Sequence, residues 1–235
     1  MNSDKQTARL AGFIYLIVVV TGIFSLAYVP AKLIVWGDAN KTFQNIAESQ
    51  FLFRLGIVSS VICYLAFLIL PLVLYRLLRR FSESTAKLMV VLAVVSVPIS
   101  FLNLSNKYAV LTLIKGADYL KNLRETQPAT QAMQYLENYD NGILIVTVFW
   151  GLWLFPFGYL VYKSGFLPKI LGIILMLGCI GYLVSFVGNT LSDDYGGTTV
   201  ASVAKVPRTL GEIGICLWLL IVGVRGKSAL EKQNT

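Results

Sequence analysis

Long apolar stretches, parted by short polar or basic ones, recur six times along the chain. The first, "LAGFIYLIVVVTGIFSLAYV" (10–29), already has the length that spans a bilayer. The pattern predicts helical spans at about 9–29, 52–76, 87–114, 141–162, 168–190 and 206–225. The third is long enough to tilt or to protrude. A transmembrane barrel would instead need short alternating segments. The first run is long for a signal-peptide core, and no convincing cleavage site follows it before Pro30, so it reads as a retained helix. The expected fold is therefore all-α: residues 1–235 as one polytopic domain of six transmembrane helices, with short amphipathic helices in the outer loops.

Those loops are not plain linkers. In "GDANKTFQNIAESQFLFR" (37–54), Asp38 or Asn40 can cap a helix, and Phe43, Ile46, Ala47 and Phe51 recur at helical spacing. This predicts a short amphipathic helix on the outer surface. Residues 117–142 read as two helical pieces split near Pro128, with Tyr119, Tyr135 and Tyr139 suited to the interface. "LSDDYGGTTVASVAK" (191–205) reads as polar and flexible.

In the fifth span, Gly178, Gly181, Ser185 and Gly188 line one helix stripe with small residues, which favours close approach of another backbone. Pro71, Pro98 and Pro156 fall within spans and can kink them; accommodation of packing is the favoured reading. A weak internal echo matches Gly12 to Gly172 and Gly56 to Gly211, as if the first helix pair were a distant copy of the last.

Composition agrees with the pattern. The chain is 56% hydrophobic and 14% charged, against roughly 25% charged in a soluble domain. The net charge of +8 does not point to nucleic acid, because the basic residues sit at the ends of apolar runs rather than along one stripe. With both termini in the cytoplasm, eleven of the twenty basic residues fall in short inner segments, among them Arg76, Arg79, Arg80, Lys163, Lys169, Arg225, Lys227 and Lys232. The outer parts hold most acids, including Asp118, Glu125, Asp193 and Asp194. The positive-inside rule therefore favours that orientation. The cluster "YRLLRRF" (75–81) reads as a topology anchor, with binding of anionic head groups as its sharper alternative.

Catalytic chemistry has few carriers. The chain has no histidine, which removes imidazole ligands, relays and any Ser–His pair. It carries no HExxH, Walker or GxSxG motif, and no cofactor is expected. Cys63, Cys179 and Cys216 lie inside apolar segments and read as small buried hydrophobes.

One acid stands out. In "RTLGEIGICLWLL" (208–220), Glu212 sits in an almost unbroken apolar run, about six residues or roughly 9 Å inside the outer end of the sixth predicted span. A carboxylate there would cost a few kcal/mol facing lipid, so it should turn toward protein or a wet cavity. The candidate partners are Arg208 one turn earlier, Arg54, Lys107 with Asn103 and Asn106 beside it, Asp140 and Asn141, and Asn189. One reading makes Glu212 a staple paired with Arg54 or Arg208. The other makes Glu212, Arg54, Lys107, Asn103, Arg208 and Asn189 the lining of an outer-leaflet pocket.

The segments "ARLAGFIYL" (8–16), "NIAESQFLFRLGIV" (45–58), "PLVLYRLLR" (71–79), "GFLPKILGIILMLGCIGYL" (165–183) and "LGEIGICLWLLIVGV" (210–224) together resemble a bacterial family of polytopic membrane proteins known as domain of unknown function 4386. The resemblance implies a six-helix bacterial inner-membrane protein and brings no activity, cofactor or catalytic residue. It places Arg54 and Glu212 in shared motifs. The expected function is binding of a membrane lipid or amphiphilic small molecule, for transport or sensing. The alternatives are a structural or regulatory interaction protein and a lipid-modifying enzyme.

Overall fold

The computed structural model describes residues 2–116 and 127–224. The described residues are mostly helical, and no strand occurs among them. The expected positions Asp118, Tyr119, Glu125, Arg225, Lys227 and Lys232 lie outside the described residues, as does the first of the two helical pieces proposed before Pro128.

Ten α-helices follow in order: α1 (Asn2–Ile23), α2 (Val29–Leu33), α3 (Ala39–Glu48), α4 (Gln50–Leu78), α5 (Glu83–Asn103), α6 (Ser105–Lys115), α7 (Gln127–Leu152), α8 (Leu154–Ser164), α9 (Lys169–Leu191) and α10 (Thr199–Ile221). Among the described residues, five helical stretches are long and apolar enough to cross a membrane: Ser3–Leu33, Gln50–Leu78, Glu83–Lys115, Gln127–Ser164 and Lys169–Leu191. This is consistent with a multi-pass membrane protein. They contain the first four predicted spans, and the fifth from its second residue onward, and run past most of their ends. α10 differs from them in carrying Lys205, Arg208 and Glu212 within its 23 residues.

Three long stretches are interrupted, each for an identifiable reason. Between α1 and α2 the helix widens into a π turn over Phe24–Tyr28. Pro30 follows, and it has no amide to give the carbonyl of Leu26. Between α5 and α6 the ladder tightens to three-residue spacing, with Leu104 N bonding Phe101 O and Lys107 N bonding Leu104 O. Between α7 and α8 the break at Trp153 precedes Pro156, whose missing amide leaves Leu152 O without its helical donor. Pro71, Pro98 and Pro207 lie inside continuous helices.

By packing, the chain forms two compact units. One holds Met1–Ile17, Leu65–Val97 and Ile145–Thr235; the other holds Val18–Tyr64 and Pro98–Leu144.

In the first unit, α9 packs on both α8 and α10. The stripe of small residues explains the second contact. A Cβ on Gly178 would lie 3.1 Å from Arg208 Cα, one on Gly181 would meet the carbonyl oxygen of Ala204, and one on Gly188 would meet the ring of Tyr195. Gly12 lies under the backbone of Leu219 and Leu220, and Gly172 under that of α8, so both members of the sequence echo sit at helix crossings. The segment 191–205 is not the flexible linker expected. Tyr195–Gly197 forms a 3₁₀ turn, Tyr195 is buried against Gly188, and Thr198 caps α10 by accepting from Ala201 N.

The second unit has its own core of Val29, Leu33, Ile46, Phe53, Ile57, Val110 and Leu136. Asp38 caps α3, its Oδ1 accepting from Lys41 N at 2.9 Å. The helix expected here forms, but its buried face is Thr42 and Ile46 with Phe43 partly covered, whereas Ala47 and Phe51 point outward. Thr42 decides the register: its hydroxyl accepts from Val35 N at 2.9 Å and donates to Val35 O at 3.1 Å.

Candidate functional site

Glu212 lies thirteen residues after Thr199, where α10 begins, or roughly 20 Å along the axis. The helix starts earlier than the polar sequence predicts, so the acid lies farther from its helix start than the 9 Å expected. It does face its own protein. Tyr182 on α9 donates its hydroxyl to Oε1 at 2.8 Å, and Tyr15 on α1 donates to Oε2 at 3.2 Å. Each carboxylate oxygen is thus taken by one phenol, and one side chain joins three helices. A hydrogen bond to an ionised acceptor is stronger than one between neutral groups.

Packing explains why the phenols arrive there. Gly151 lets Tyr182 lie against α7, since a Cβ at that position would be 2.5 Å from the Cβ of Tyr182. Tyr15 is fully buried and tilts against Trp153 at 6.2 Å between ring centroids. Trp153, at the α7–α8 break, stacks on Phe157 at 5.2 Å and meets Phe67 edge-on at 5.2 Å. Below the carboxylate, the Cys216 thiol points at the Gly12 carbonyl, 3.7 Å away.

Arg208 is close, yet it is not the ion-pair partner expected. Its guanidinium lies over the Tyr182 ring, 4.9 Å from the centroid. The attraction is therefore passed through the ring that donates to Glu212. Among the described residues, the ion pairs within 4.0 Å are Arg80–Asp4 and Lys87–Glu83, and Glu212 is in neither. Arg54 is half-buried on α4 and belongs to the second unit.

A second polar cluster lies in that unit. Asn103 donates to the Tyr139 carbonyl at 2.8 Å, and Asn106 donates to Asn103 Oδ1 at 3.0 Å. Lys107 is 4% exposed, with its ammonium over the Tyr139 ring at 4.1 Å. The hydroxyls of Tyr139 and Tyr64 lie 3.3 Å apart in the interior. Tyr139 is thus a buried residue rather than the interfacial aromatic expected, while Tyr135 remains exposed. Beside the cluster, Trp36, Glu137, Asp140 and Asn141 line a recess of about 360 Å³. Asn189, the last candidate, is exposed and donates to Ser185 O in its own helix at 2.7 Å.

The first unit also carries an apolar groove of about 680 Å³ between α9 and α10. Leu177, Ile180, Val184, Val200 and Val203 form its walls, and Gly181, Ala204 and Pro207 also line it. Pro207 has no amide for the carbonyl of Val203 four residues earlier, which leaves that backbone acceptor without its helical donor, and Thr199 and Val206 complete the lining. Arg208 and Glu212 are not part of its lining.

Tyr15, Tyr182 and Trp153 were legible only as members of apolar runs. A tyrosine in such a run needs a hydrogen-bond partner when buried, and that was the available signal.

The family profile described as Domain of unknown function (DUF4386) matches residues 10–223. A curated relative, an uncharacterized protein of Archaeoglobus fulgidus, is 46% identical over 37 residues, which is 16% of this chain. That match spans 23% of the relative's length. No solved structure matches the chain.

Proposed function

The chain belongs to the family of domain of unknown function 4386, and from that premise we propose that it binds an amphiphile, with the tail held in the groove between α9 and α10. In this reading it is a single six-span domain of a bacterial inner membrane, with α10 as the sixth span and both termini in the cytoplasm. α3 then lies in an outer loop, and binding serves transport or sensing.

The observation that carries the reading is the groove itself. It is mainly apolar and large enough for an acyl tail, and Pro207 in its lining leaves the Val203 carbonyl without its helical donor. Glu212 has a different part in this proposal. Its two phenol bonds hold α10 to α9 and α1, which keeps the groove walls at their spacing. Arg208 supports Tyr182 in that task. Arg54, Lys107 and Asn103 belong to the second unit, and Asn189 is exposed near the end of α9.

The test is lipid analysis of the purified protein. After mild delipidation, the wild type retains a bound amphiphile, and Val203→Trp, which fills the groove from an exposed position, loses it while keeping its helicity. Equal retention by both proteins would sink the groove as the binding place. A structural reading of the whole chain is favoured by the enclosed Glu212 network; it predicts no retained amphiphile in either protein.

A further inference from the structure

The opposite feature of the first unit is a face of cations. α4 ends at Leu78 and α5 begins at Glu83; α8 ends at Ser164 and α9 begins at Lys169. The two turns meet through Phe81 and Phe166, whose ring centroids are 5.2 Å apart. Arg80 lies over both rings, at 5.2 Å and 5.0 Å, and pairs with Asp4 at 2.9 Å. This brings the start of α1 to the same end. Arg9 donates to the Ile221 carbonyl at 3.4 Å, which brings the end of α10 there as well. Gly165, at φ +69°, makes the α8–α9 turn possible without strain.

Charge at this end is lopsided. Among the described residues here, the acids Asp4 and Glu83 are already engaged, Asp4 with Arg80 and Glu83 with Lys87 at 3.0 Å. Lys5, Arg9, Arg76, Arg79, Lys163 and Lys169 are exposed, and none of them is in an ion pair among the described residues. Three lie along tyrosine rings: Arg79 over Tyr75 at 5.8 Å, Lys163 over Tyr159 at 5.7 Å and Lys169 over Tyr162 at 5.8 Å. Tyrosine rings settle at head-group level, and a long cationic side chain laid along one carries its charge to that level.

We propose that this face binds the phosphate head groups of anionic phospholipids, with Arg79, Lys163 and Lys169 as the contacting cations. A topology anchor needs only net positive charge. Here the cations are held beside aromatic rings around the Phe81–Phe166 contact, and the carboxylates of Asp4 and Glu83 are occupied. The occupant that matches exposed, unpaired cations at an interface is an anionic lipid surface.

The test uses the full-length protein reconstituted in vesicles of equal parts phosphatidylcholine and phosphatidylglycerol, then extracted in mild detergent for quantification of retained lipid. The wild type is expected to keep phosphatidylglycerol over phosphatidylcholine by at least about fivefold at low salt, falling toward parity at high salt. R79Q/K163Q/K169Q lowers the ratio toward parity, and K32Q/K41Q/K115Q, with the same loss of charge on helices of the second unit, leaves it near the wild-type value. If the first triple variant fails to insert, Lys169→Gln alone replaces it and lowers the ratio in part. No head-group preference in the wild type, an unchanged ratio in the face variants, or an equal fall in the control triple would overturn the proposal.

Discussion

The hydroxyl of Tyr182 lies 2.8 Å from Oε1 of Glu212, and the two residues come from neighbouring helices thirty positions apart in sequence. Tyr182→Phe removes that bond and leaves the ring beneath Arg208. A polar contact between membrane helices is worth roughly 1 kcal/mol, so the variant should unfold at lower temperature by about that cost. Tyr15→Phe, which removes a longer bond of 3.2 Å, should cost less. Thermal unfolding of the purified proteins checks the order, and a larger loss from Tyr15→Phe would contradict it.

Glu212→Gln keeps one oxygen acceptor and replaces the other with a donor. One of the two phenols must then accept from the amide, and its own O–H is left without the carboxylate acceptor in an enclosed place. The expected loss is about 1–3 kcal/mol. Because the phenol and the carboxylate share one bond, the effects of Glu212→Gln and Tyr182→Phe should not add. A double-mutant cycle measures this directly, and strict additivity would show that the bond contributes nothing.

Gly181 permits the α9–α10 crossing, since a side chain there would meet the carbonyl oxygen of Ala204. Gly181→Leu should force the helices apart and destabilise the protein by about 1–3 kcal/mol. The same substitution at Gly196, where a Cβ would meet nothing within 4 Å, serves as the tolerant comparison. Detergent-phase melting curves of both variants separate the two cases.

Lys107 is buried without an ion pair among the described residues, resting on the Tyr139 ring. An apolar replacement of similar length avoids the cost of burying a charge. Lys107→Met should therefore be neutral or stabilising by about 1 kcal/mol if the lysine has no ligand to hold. A marked loss of stability would show that the ammonium makes a contact worth more than its desolvation.

Asp38 holds the first turn of α3 through Lys41 N. Asp38→Ala should cost about 1 kcal/mol and raise hydrogen exchange at the amides of the first turn. Exchange unchanged at Lys41 would remove the cap from the account of why this helix forms.

Apolar runs, prolines and the Asp38 cap act over a few neighbouring residues, so the helices and the break near Pro156 were legible from the chain itself, whereas Pro71 and Pro98 stay within continuous helices and the π turn before Pro30 was not foreseen. The stripe Gly178–Gly181–Gly188 announced a close crossing but not its partner, which is α10 and the Tyr195 turn. The early start of α10 was not legible, because Thr198 caps it within a stretch whose composition reads as a linker.

What the sequence by itself determined was that an acid amid apolar residues must turn inward, because an unpartnered charge in lipid is costly. Which groups receive it was a matter of tertiary structure. Opposite charge pointed to Arg54 or Arg208, yet the partners are phenols 197 and 30 positions away, delivered by the packing of Tyr15 on Trp153 and of Tyr182 on Gly151. Burial is set by local composition; a hydrogen bond across helices is set by which side chains the crossing of backbones brings within 3 Å, and no local pattern encodes that distance.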